Sequence, residues 1–237
     1  MGSNKEIRKV VDAMTPDDIL ILFGEQDATF INYRLAELNK IYSKKLFPNN
    51  ISTKILGSHE YKRNDGLNVV LIYFDRGNTY PKEKRLGVWQ YFWFNFKGGI
   101  SAIRILPDRQ FGMMKYFYSN HFIERYRQRK LNNASIPKPE ALKTFLLNNS
   151  KRITQKVKSK KYPENGWMCT SEGLCFMEVK RDDFIIMKSF LPWEMLNLGQ
   201  EVVSMQMIQA ALQKGFDFTI PEELIEPSDI NLLEFQN

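Results

Sequence analysis

The sequence predicts an α+β protein, with a helical N-terminal layer, an antiparallel sheet, and a further run of helix and strand toward the C-terminus. Three observations carry this prediction. Apolar spacing is helical in the first third and turns β-like in the middle. Lys97-Gly98-Gly99 separates two aromatic and aliphatic runs as a hairpin turn would. Three short apolar runs divided by turn residues follow Gly166. With 237 residues, 43% of them hydrophobic and 26% charged, the chain can bury a sizeable core and is too apolar to be disordered.

Taken in order, Thr15-Pro16-Asp17-Asp18 reads as a helix start, with Thr15 as N-cap and Pro16 in the first turn. Phe30, Ile31, Leu35, Leu38, Ile41 and Leu46 then recur at helical spacing until Pro48. Leu67–Phe74 is a β-rich run. Val88–Phe96 and Ile100–Leu106 form the hairpin, closed by Pro107-Asp108, and the aromatics from Trp89 to Phe96 are expected in the core. Ser119 or Asn120 caps a helix beginning near His121, and another helix spans 137–148. Strands are expected at Trp167–Thr170, Leu174–Val179 and Phe184–Phe190, followed by a helix over Gln200–Gln213. The expected organisation is an accessory region 1–106, an α+β region 107–215 and an acidic tail 216–237.

Composition excludes several classes. No stretch approaches the ~18–20 apolar residues of a membrane helix, and the first residues lack the apolar region of a secretory signal. Two cysteines, Cys169 and Cys175, make neither a disulfide framework nor a metal-ligand spacing. The expectation is a reduced, cytoplasmic protein with no metal and no cofactor. Charge is uneven around the net +7. Residues 121–161 carry twelve Lys and Arg against two acids, whereas 216–237 carries six acids and no base. The basic linker residues Lys151, Arg152, Lys156, Lys158, Lys160 and Lys161 are candidates for tracking a nucleic-acid backbone, since clustered positive charge attracts polyanions. The acidic tail would then be a candidate to dock over the basic cleft, or else a packed surface segment.

The chemistry-bearing residues sit on the helix after Ser119. On a helical wheel with His121 at the origin, Arg125 falls at about 40° and Arg129 at about 80°, while Phe122, Ile123 and Tyr126 take the opposite side. One imidazole and two guanidiniums thus share a polar face. That set suits metal-independent cleavage of a phosphodiester. An imidazole can move the protons, and arginines fork onto phosphate oxygens as charge develops there. His59 reads as part of a polar loop with no comparable company.

The order strand, Ser-x-His-Phe-x-x-Arg-x-x-x-Arg helix, basic linker and three-stranded meander resembles the barnase–EndoU–colicin–RelE superfamily of small RNase toxins, over about residues 115–200. The matching helix positions are His121, Arg125 and Arg129. The resemblance implies a small RNase-toxin fold for the C-terminal half and a hydroxyl on the last strand that helps hold the phosphate, here Ser189. Charge alone picks Lys188 instead. Regular alternation puts Phe184, Ile186, Lys188 and Phe190 on one face and Ser189 on the other, so both reach one cleft only through a bulge or at the strand end near Pro192.

Two functions follow as expectations. The first is a metal-independent endoribonuclease with His121, Arg125 and Arg129 as its centre, Ser189 or Lys188 as auxiliary, RNA as substrate and an antitoxin or inhibitor protein as a possible partner. The alternative is a non-enzymatic nucleic-acid-binding or protein-interaction module with the same basic surface.

Overall fold

The structure is a computed structural model describing residues 36–47, 54–62, 68–96, 99–108, 112–149, 152–156, 165–216, 218–220 and 224. It is α+β, and the chain divides between Phe117 and Tyr118 into two compact units. That division falls later than the expected boundary at 106/107, while the strand expected to close at Pro107-Asp108 does end at Asp108. The expected helix start at Thr15 lies outside the described residues.

In the first unit, helix α1 covers 36–42 and tightens into a 3-10 turn over Ser43–Lys45. Strands β1 (Lys54–Lys62), β2 (Asn68–Asp75), β3 (Leu86–Phe96), β4 (Gly99–Asp108) and β5 (Gly112–Tyr118) follow, with the single turn α2 (Lys82–Arg85) leading into β3. Their order in the sheet is β1-β2-β3-β4-β5, and the β1–β2, β2–β3 and β3–β4 pairs are antiparallel. β2 reads Asn-Val-Val-Leu-Ile-Tyr-Phe-Asp and is buried at every position, so it is the spine of this core. Tyr42 of α1 stacks on Tyr73 of β2 at 4.5 Å between ring centroids. The hairpin expectation is met, with Phe96 pairing Gly99. Tyr91, Phe92, Phe94 and Phe96 are buried, with Trp89 and Trp93 half-buried beside them.

β1 corrects the reading of His59. That residue lies in a strand opposite Leu71, and its Nε2 is 2.8 Å from the Tyr42 hydroxyl. Gly57 in β1, opposite Tyr73, permits this contact, because a Cβ there would lie 2.4 Å from the Tyr42 hydroxyl oxygen.

In the second unit, helices α3 (Asn120–Arg129) and α4 (Lys138–Asn148) precede four strands, β6 (Arg152–Lys156), β7 (Asn165–Thr170), β8 (Gly173–Arg181) and β9 (Phe184–Pro192). A 3-10 turn over Trp193–Met195 and helix α5 (Leu198–Gln213) follow. The strands form an antiparallel meander in the order β9-β8-β7-β6. Ser119 caps α3 by accepting from the Phe122 amide at 3.1 Å. Asn197 and Gln200 close a reciprocal capping box on α5, each bond 3.0 Å.

Each face of the meander has its own helical cover. On one, Phe122, Tyr126, Phe145 and Phe190 pack their rings 4.9 to 6.3 Å apart, mostly edge to face. Each ring removed from water contributes roughly 1.5–3 kcal/mol. On the other face, Met207 and Ile208 of α5 pack on Cys169, Leu174 and Trp193, with Trp167 and Phe176 beside them. The expected basic linker is therefore in part a strand: Arg152 to Lys156 pair with Thr170 to Gly166.

Candidate nucleic-acid interface

α3 is amphipathic in the way its sequence implies. Phe122, Ile123 and Tyr126 are buried, and His121 is exposed. The structure brings His121 and Arg125 together, with the Arg125 Nε–H donating to His121 Nε2 at 3.3 Å. A guanidinium can only donate, so Nε2 is the unprotonated ring nitrogen in this arrangement. Arg125 Nη1 also donates to Gln128 Oε1 at 3.4 Å, a second contact that orders the same face.

Arg129 has a different partner. Its Nη1 donates to the Phe190 carbonyl at 2.8 Å and so ties α3 to β9. Burial, and then the like charge of Arg125, pull its guanidinium below the ordinary range. It remains a cation at neutral pH, because arginine starts so far above it.

The other charges of α3 close on one another. Glu124 accepts from Arg127 Nη2 at 2.8 and 3.0 Å and from Gln128 Nε2 at 2.9 Å, and pairs with Lys138 of α4 at 3.1 Å. The Arg127 hydrogen bond, followed by Lys138 and both cationic charges, outweighs partial burial and holds the Glu124 carboxyl below the usual carboxylate range. Two of the cations counted in the basic segment thus share this one carboxylate within the fold.

The strand candidates are not part of this cluster. On β8, Phe176 pairs with Ser189 but its neighbour Met177 pairs with Met187, so Lys188 is an extra residue bulged out of β9. Phe190, opposite Cys175, packs against α3. Ser189, opposite Phe176, is on the face that α5 covers. Lys188 pairs with Glu178, which also binds Lys180 and sits opposite Ile186 on that same face. Burial pushes the Glu178 carboxyl up, but the hydrogen bonds and charges of the two lysines outweigh it and hold the group below its ordinary value. Assigning Ser189 and Lys188 to one centre with His121 is therefore corrected: the sheet lies between them.

Of the basic stretch, Arg152 begins β6, at the far end of this unit's strand order from β9, and is half-buried. Lys156 closes that strand, while Lys151, Lys158, Lys160 and Lys161 lie outside the described residues. Both cysteines are buried, and burial pushes the Cys169 thiol up to about 12 and raises Cys175 as well. Neither offers a thiolate nucleophile near neutral pH. Among the described residues, no group of three or more His, Cys, Asp or Glu could hold a metal ion, and no helix is long and apolar enough to cross a membrane.

One polar cluster escaped the sequence reading. Glu172, in the β7–β8 turn, accepts from the Tyr126 hydroxyl at 2.7 Å, from Asn148 at 2.8 Å and from Asn149 at 2.7 Å. Its own amide donates to Asn149 Oδ1 at 3.0 Å. Burial, and then this bond to a carboxylate, push the Tyr126 phenol well up. The cluster fixes the inner side of α3 and thereby the bearing of the outer side. Glu124 with Arg127 and Gln128 was visible in the sequence as i,i+3 and i,i+4 pairs. Glu172 with Tyr126, 46 residues apart, left no local signal.

Compared with protein-family models, curated proteins and solved structures, the chain matches none.

Proposed function

We propose that the second unit is a non-enzymatic RNA-binding module in which the outer face of α3 docks on the phosphate backbone. One observation carries the reading. Glu124 satisfies Arg127 and Lys138 internally, while Arg125 and exposed His121 are left with each other and Gln128 as partners on the outer face. Phosphate contacts of this kind position a nucleic acid and make its affinity salt-dependent. The net charge of +7 favours encounter with any polyanion.

Metal-independent RNA cleavage is the second reading. It is favoured by the Arg125 Nε–H bond into His121, which leaves an exposed imidazole oriented beside a cation. The succession of capped helix and antiparallel meander is compatible with a small RNase-toxin fold. In that case an inhibitor protein covering α3 is the natural partner. Against cleavage stands the placement of Ser189 and Lys188 on the other sheet face.

A single experiment separates the two. Labelled single-stranded RNA is titrated with the full chain over a KCl series in EDTA, and the same samples are run on a denaturing gel. The binding module predicts intact RNA, an affinity that falls log-linearly with salt, and a slope reduced by about one in Arg125→Ala. Cleavage lost in His121→Ala replaces binding with the nuclease. Absence of both salt-sensitive binding and cleavage overturns both readings.

A further inference from the structure

The first unit contains a cleft that the RNA reading does not use. It has a volume of about 430 Å³, between the 3-10 end of α1 and the corner where α2 enters β3. That lies in the size range of small-molecule sites, roughly 300–1,000 Å³. Lys40 and Ser43 stand on one rim and Lys82 and Glu83 on the other, above a floor of Leu46, Leu86 and Val88. Among the described residues, neither lysine is engaged in an ion pair, and Glu83 has no cation either. Val88 is 37% exposed, so part of the apolar floor is open to solvent.

The two rims are tied together at their base. The buried Asp75 carboxylate accepts from the Phe47 amide at 3.1 Å, the Gly77 amide at 2.9 Å and Arg85 Nε at 3.1 Å. Arg85 Nη2 also donates to the Phe47 carbonyl at 2.6 Å. Phe47 directly follows Leu46 of the floor, at the end of the segment that carries the first rim, and Arg85 ends the helical turn that carries the second. The floor backbone is pressed against β2, since a Cβ on Gly87 would lie 2.3 Å from the Phe74 ring. The opening between the rims is thus set before any ligand arrives, which lowers the entropic cost of binding.

We infer that this cleft binds a 5′-mononucleotide. The two ammonium groups match a phosphate, which amines bind as point charges. A flat base covers the exposed aliphatic floor. The Glu83 carboxylate accepts from ribose hydroxyls, the one rim group that would repel a simple anion. A fatty acid has no donor for Glu83, and inorganic phosphate leaves the floor wet.

The test titrates the intact chain with AMP, GMP, CMP and UMP by calorimetry, alongside three variants. At least one nucleotide is expected to bind saturably at one site. Lys40→Gln with Lys82→Gln is expected to weaken it about tenfold or more, two charge-assisted contacts being lost. Ser43→Trp, at an exposed rim position that tolerates a large side chain, is expected to abolish it by filling the cleft. Arg125→Ala, on the RNA-binding helix, is expected to leave it unchanged, so this inference and the RNA reading fail separately. Circular dichroism confirms that each variant is folded. The inference is overturned if none of the four nucleotides binds, or if binding survives both the double lysine change and Ser43→Trp. It is also overturned if the parent nucleoside binds as tightly as the nucleotide.

Discussion

Arg125 and Arg129 are one turn apart, and a helical wheel treats them alike, yet they have different tasks. Arg129 spends a donor on a β9 carbonyl, whereas Arg125 faces outward with His121. Arg129→Ala is therefore expected to lower stability by about 1–2 kcal/mol in urea denaturation, with Arg125→Ala within about 0.5 kcal/mol of the parent. RNA affinity should show the reverse dependence on Arg125. Glu172→Ala removes one acceptor from three donors, two of them on buried residues, and is expected to cost about 3 kcal/mol by the same measurement. Glu124 and Glu178 supply a pH dependence. Both carboxyls titrate below their ordinary value of 4.5 in the folded chain, so their ion pairs stabilise it fully above that pH and lose this effect as pH falls through the lowered values. The urea midpoint should drop on acidification below about pH 4.5, and Glu124→Gln should make that drop shallower. Which guanidinium a distant carbonyl would claim was not legible in the sequence, because the wheel contains no β9.

Among elements, β9 shows how a single residue defeats pattern reading. Alternation counted along Phe184–Phe190 groups Lys188 with Phe190, but the bulge at Lys188 shifts the phase, and Met187 and Phe190 share a face. Deleting Lys188 should give a regular strand with every core residue still on its own face. Such a variant is expected to fold with only its ion pair to Glu178 lost, within about 1 kcal/mol of the parent. Deleting Ile186 instead places Lys188 opposite Met177 in the core, or moves Ile185 out of it, and is expected to prevent stable folding; thermal denaturation followed by circular dichroism separates the two. The strands absent from the sequence reading share a physical cause. β1 and β6 stand at the ends of their units' strand orders and carry lysine or arginine at both termini. Charge on an edge strand blocks pairing with another chain, so the residues that protect an edge also make it read as a loop. Interior runs such as β2 and β8 have no such need, and their apolar sequences announced them.

At the scale of the molecule, the α+β class, the hairpin, the three strands after Gly166 and the three longest helices of the described chain were all legible. Each rests on local signals: a cap, a turn, a period. The division at Phe117/Tyr118, the Glu172 cluster and the Asp75 lock rest on contacts between residues far apart in sequence and had no such signal. The two buried thiols offer a readout of the second unit as a whole. Iodoacetamide at pH 8 should leave Cys169 and Cys175 unmodified in the native chain and label both in urea, at a rate that tracks global opening. The Asp75 lock has a counterpart in time. Because the amides of Phe47 and Gly77 end on the same buried carboxylate, both protons are released by one event, the departure of that carboxylate. In deuterium exchange they should behave as a single clock, ticking together although 30 residues separate them, and their shared rate counts how often the mouth of the first unit comes undone.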